Sequence, residues 1–99
     1  MYALVREATL RPDAQEPYLA ARAEFDAFHA QLEGYHGGVT VDAGEGRRVT
    51  VALWESEQAY QAARPAMGAQ AERLVNPHLT APSRVIYQGP VVADHLTTR

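Results

Sequence analysis

The 99-residue sequence contains no cysteine and no lysine. The first absence excludes disulfides, zinc–thiolate sites, iron–sulfur ligation and a cysteine nucleophile. The second excludes a Schiff-base lysine and the lysine of a phosphate-binding P-loop. No apolar run approaches the roughly 18–20 residues of a membrane span. "MYALVREATL" places Arg6 and Glu7 where a secretory signal would stay apolar, so a cytoplasmic protein is expected. All nine basic residues are arginine, against twelve acids, for a net charge of −3. The longest basic run is Arg47-Arg48, which is no footprint for nucleic acid. The four histidines, His29, His36, His78 and His95, form no HxH or HExxH pair and no i,i+4 pair, so no metal site is expected.

With 46% hydrophobic and 21% charged residues, the chain has the balance of a single globular domain over residues 1–99. "YALVREATL" alternates Tyr2, Leu4, Arg6, Ala8 and Leu10 against Ala3, Val5, Glu7 and Thr9 and reads as a strand. The period then changes. Tyr18, Ala21, Phe25, Phe28 and Leu32 recur at three or four residues, predicting a helix that starts near Asp13 or Pro17 and stops at Gly34. His29 falls beside that stripe and reads as a surface or boundary residue. Val39 and Val41 precede "AGEG", and Val49, Val51 and Leu53 follow it, as expected of a hairpin whose glycines supply positive φ. Ser56 is placed to cap a second helix, and Pro65 predicts a break in it before a further helical piece from Ala66 to Val75. "NPHLTAPS" reads as loop, and "RVIYQGPVVADHL" as a last strand interrupted at Gly89-Pro90.

Strand, helix, strand, strand, helix, strand is the ferredoxin-like βαββαβ order of the α+β class: a four-stranded antiparallel sheet with both helices on one face. The uncovered face should then be polar. Yet Leu53 opposes Trp54, Leu4 opposes Val5, and Val85 and Tyr87 oppose Ile86, so both faces carry large apolar groups. A second copy of the chain is the simplest cover, and a homodimer through the sheet is expected.

The "EGYHGG" segment (Glu33 to Gly38) and above all "VALWESEQAY" (Val51 to Tyr60) resemble the antibiotic biosynthesis monooxygenase-like domains of the dimeric α+β barrel superfamily. The typical pattern is an apolar strand ending in Trp, an acidic and serine turn, then Ala and an aromatic; here these are Trp54, Glu55-Ser56-Glu57, Ala59 and Tyr60. The resemblance implies a cofactor-independent monooxygenase acting on a phenol or quinol. A non-catalytic dimeric small-molecule-binding domain, or an isomerase or cyclase, stands as the alternative. Haem-degrading members share the motif but need an Asn on the first strand, a second Trp and a helical His. Here strand one offers no Asn, and the other two positions hold Ala63 and Arg73.

Deprotonated phenols can pass an electron to O₂ themselves, so the protein need only exclude water, orient the ring and stabilise the phenolate. Arg6, His36 and His78 are the candidate catalytic groups: a cation inside an apolar strand face, an imidazole between glycines, and an imidazole on a loop able to close over a pocket. Trp54, Tyr35, Tyr60, Met67 and Tyr87 are candidate substrate-binding residues, since apolar walls with a few hydrogen-bonding tips suit a small aromatic ligand. Trp54 is also the natural packing residue at the strand-to-helix corner.

Overall fold

A computed structural model describes residues 1–96. Strands β1 (Tyr2–Thr9), β2 (Tyr35–Gly44), β3 (Arg47–Trp54) and β4 (Arg84–Pro90) form one sheet in the order β2-β3-β1-β4. Every neighbouring pair is antiparallel. Helix α1 (Gln15–His29) links β1 to β2, and α2 (Glu57–Gln70) leads from β3 towards β4. The ferredoxin-like α+β expectation is met. No helix among the described residues is long and apolar enough to cross a membrane.

The hairpin forms with Gly44 and Gly46 at φ +88° and +79° as expected, and Glu45 between them is also left-handed at +57°. Ser56 caps α2, its Oγ accepting from the Ala59 amide at 3.1 Å. Several details differ from expectation. Helix α1 starts at Gln15 without a side-chain cap, because Asp13 takes a left-handed φ of +67° that ends the preceding turn. It stops at His29, and the chain continues in tighter turns, with Leu32 N donating to His29 O, until Gly34 reverses it at φ +83°. Helix α2 is unbroken at Pro65. Both Pro65 and Gln61, whose carbonyl loses its helical partner, are exposed residues, which keeps the cost of the freed acceptor low. The irregularity arrives later, as a π-helical turn at Ala71–Val75 followed by a 3₁₀ turn at Asn76–His78. Val91 and Val92 do not extend β4.

Gly34 also locks the strand-to-helix corner. Its carbonyl accepts from the Glu55 amide at 2.7 Å, and a Cβ at this position would lie 2.6 Å from the Ala59 Cβ. Trp54, 1% exposed, packs immediately before that corner with Tyr2, Leu4 and Tyr60. A second cluster, Leu10, Tyr18, Leu74, Val75 and Leu79, fills the other end of the domain.

The two clusters do not merge, and the sequence of the helix-facing sheet surface explains it. Leu4 and Ala52 pair in β1 and β3, but the next pairs on that face are Arg6 with Thr50 and Ala8 with Arg48. Polar and small side chains in mid-sheet cannot fill an apolar core. The opposite face keeps its apolar residues without cover: Val39 is 68% exposed, Val41 56% and Tyr87 73%.

Candidate active site

Between sheet and helices lies a cavity of about 260 Å³, to which both core clusters contribute residues. Its floor is the helix-facing row of β1 and β3, including Arg6, Arg48, Thr50 and Trp54. Helix α1 presents Tyr18, Arg22, Phe25, Asp26 and His29, spaced so that they share one face. Tyr60, Arg64, Met67 and Gly68 come from α2, and Ala71 and Val75 from the π turn.

One wall is aromatic. His29, Tyr35, Trp54 and Tyr60 follow one another with ring centroids 5.2, 5.1 and 5.8 Å apart, in tilted or edge-on contact. At its His29 end, Nδ1 lies 2.9 Å from the Phe25 carbonyl. A carbonyl only accepts, so Nδ1 carries the proton and Nε2 keeps its lone pair. Burial, the largest influence, lowers the pKa of His29 below the usual imidazole value, outweighing the Phe25 bond and nearby Asp26. The ring is therefore a neutral base near neutral pH. Burial likewise raises the Tyr35 phenol.

The rest of the lining is cationic and hydrogen-bonded. Arg6 donates through Nη2 to the Tyr60 hydroxyl at 3.2 Å and through Nη1 to Ser83 Oγ at 3.3 Å. Arg22 is held by Asp26 at 2.8 Å, by the Tyr18 hydroxyl at 3.0 Å and by Thr40 at 2.8 Å. Thr40 in turn bonds Thr50 at 2.8 Å, and Arg48 pairs with Asp42 at 3.1 Å.

Of the residues singled out from sequence, the fold brings Arg6, Tyr35, Trp54, Tyr60 and Met67 together around the cavity. It places His36, His78 and Tyr87 elsewhere. His36 is exposed on β2, next to the bulge that follows Tyr35. His78 closes the 3₁₀ turn, where its carbonyl accepts from Arg11 N at 2.9 Å and the adjacent Leu79 is buried. Tyr87 pairs with Val5 on the uncovered sheet face. The residues that sequence reasoning passed over are His29, Arg22 and Arg48. Their signals were present: His29 is one turn from Phe25, Arg22 one turn from Tyr18, and Arg48 has the parity of Trp54 on β3.

No family model and no curated protein matches the sequence. The chain shares its α+β fold with several solved structures named for antibiotic biosynthesis monooxygenases. One, described as an antibiotic biosynthesis monooxygenase from Bordetella bronchiseptica, matches 93% of this chain and 97% of its own, with a TM-score of 0.77 and 18% identity. The cofactor-independent oxygenase SnoaB of Streptomyces nogalater superposes with a TM-score of 0.71 at 18% identity, over 94% of this chain and 97% of its own. A Streptomyces coelicolor monooxygenase in complex with the ligand Nanaomycin D gives 0.71 at 23% identity, over 97% and 92%. At identities this low, the superpositions show a shared fold and nothing further.

Proposed function

We propose that the chain is a cofactor-independent monooxygenase that takes a small phenol or quinol into this cavity. The observation that carries the reading is the pairing of a neutral imidazole, fixed by Phe25, with the half-buried Arg6 guanidinium on the lining of one cavity. His29 Nε2 accepts the acidic proton of the substrate. Arg6 and the Tyr60 hydroxyl stabilise the oxygen anion left behind, in a site whose aromatic wall excludes water. The electron-rich ring then reduces O₂. One oxygen atom enters the substrate, and the other leaves as water with two of the substrate's hydrogens. Trp54, Tyr35 and Met67 orient the ring. The same reading seats a second copy of the chain on the uncovered sheet face, where Val39, Val41 and Tyr87 stand exposed.

Oxygen uptake with a panel of anthrones and quinols tests it. Uptake well above the uncatalysed rate, lost in His29→Ala and unchanged in His36→Ala and His78→Ala, is the expected result. No uptake with any of them, alongside thermal stabilisation by the same compounds, would reassign the chain as a binding domain.

A further inference from the structure

The charges around the cavity do not balance. Four arginines line it, Arg6, Arg22, Arg48 and Arg64, against two carboxylates, Glu7 and Asp26. Asp26 is engaged with Arg22 at 2.8 Å, Glu7 with Arg84 at 3.4 Å, and Arg48 finds Asp42 at 3.1 Å. Arg6 and Arg64 make no ion pair among the described residues. Both instead address Tyr60. Arg6 donates to its hydroxyl, while Arg64 Cζ stands 6.0 Å from the centre of its ring with Nη1 bonded only to the neutral Gln61 amide at 3.2 Å. A guanidinium carries five N–H donors, and the bonds to Ser83 and Tyr60 engage Arg6 through Nη1 and Nη2, with no partner for its Nε–H among the described residues. This local excess of positive charge belongs to a chain whose net charge is −3, so it is a property of the cavity and not of the surface at large.

Resting on the oxygenase reading of the same cavity, we infer that the substrate is a hydroxylated aromatic carboxylate. The phenolic oxygen meets Arg6, and the carboxylate meets Arg64 at the cavity mouth. In its reactive form such a substrate bears two negative charges, phenolate and carboxylate, and matches the two unpaired guanidiniums. An arginine fork also suits a planar carboxylate better than a single phenolate oxygen. Arg64 is exposed, as expected of a group that captures the anion at the rim, while the ring passes inward to Trp54 and Met67.

The probes are 6-hydroxy-2-naphthoate and its methyl ester, which share the ring and hydroxyl and differ in the charge and one methyl group, with binding measured by calorimetry on the intact protein at low and high salt. The acid should bind about tenfold more tightly than the ester, and the advantage should shrink as salt rises. Arg64→Gln changes an exposed side chain that makes no ion pair among the described residues, so its melting temperature should stay within a few degrees of wild type while most of the acid's advantage disappears. Equal affinity of acid and ester, or a folded Arg64→Gln variant that keeps the full preference, overturns the inference. The outcomes separate from those of the oxygenase reading: acid preference without oxygen uptake sinks only that chemistry, and uptake with neutral phenols without acid preference sinks only the carboxylate site.

Discussion

Gly34→Ala should be among the most damaging single-methyl additions this chain can suffer. Two independent costs meet at the position. A φ of +83° places an alanine in the left-handed region, at about 1–2 kcal/mol. The new methyl also sits 2.6 Å from the Ala59 Cβ, well inside contact distance, and overpacking of this kind costs about 1–3 kcal/mol. The total, about 2–5 kcal/mol, corresponds to a fall in Tm on the order of 10–30 °C for a domain of this size. Thermal and urea melts at fixed protein concentration measure it. The mechanism is checked by Ala59→Gly, which removes the second methyl and leaves the Ser56 cap on the Ala59 amide in place. That change alone costs about 1 kcal/mol of helix propensity. Combined with Gly34→Ala it should relieve the clash and leave the φ cost and the helix-propensity cost, a coupling of about 1–3 kcal/mol. Additivity of the two within about 0.5 kcal/mol would refute the steric half of the reasoning.

Other perturbations report on different parts of the molecule. Because burial lowers the pKa of His29, the unfolded chain takes up its proton first on acidification. Stability should therefore fall as pH drops through about 6.5, the ordinary imidazole value, towards the lower folded value. His29→Gln should flatten that slope in melts run from pH 8 to pH 5, and an unchanged slope would assign it to other groups. Turnover that needs neutral His29 should in turn persist somewhat below pH 6.5 before it fails. Val51→Glu, on the uncovered sheet face beside Val39, should leave a species of 10.9 kDa in sedimentation where the parent sediments at twice that mass. A parent already at 10.9 kDa removes the dimer. Pro65→Ala restores a backbone donor inside an unbroken helix and should stabilise the domain by about 1–3 kcal/mol, read as a rise in Tm; a loss would show that the proline ring packs usefully.

Much of this architecture is legible in the chain, for reasons that differ by element. The strand parities, the glycine turn and the Ser56 cap are local: each is set by residues within a few positions of one another. Pro65 misleads because its effect depends on whether the Gln61 carbonyl reaches water, which is a fact about the surface and not about the helix. The site is harder still. Arg6 and Tyr60 meet across 54 residues of sequence, and Arg6 and Ser83 across 77. His29 is the instructive miss. Its spacing from Phe25 places it on the buried stripe, but an imidazole there reads as boundary until the carbonyl that fixes its proton, and the cavity that it borders, are both in view.

The π-helical turn at Ala71–Val75 gives the cavity one wall of a different kind. A π turn accommodates a residue more than an α-helical turn does, so this wall holds slack chain where the sheet floor holds none. Removing one residue there would wind the turn back to α-helix by taking up that extra residue, so the change falls within the turn and the chain after it is not carried round the helix axis. The strand pairings that fix Arg6, Arg48 and Trp54 would keep their register. A single-residue deletion in this segment should therefore alter the lining at one wall alone, with the reacting groups left where they are.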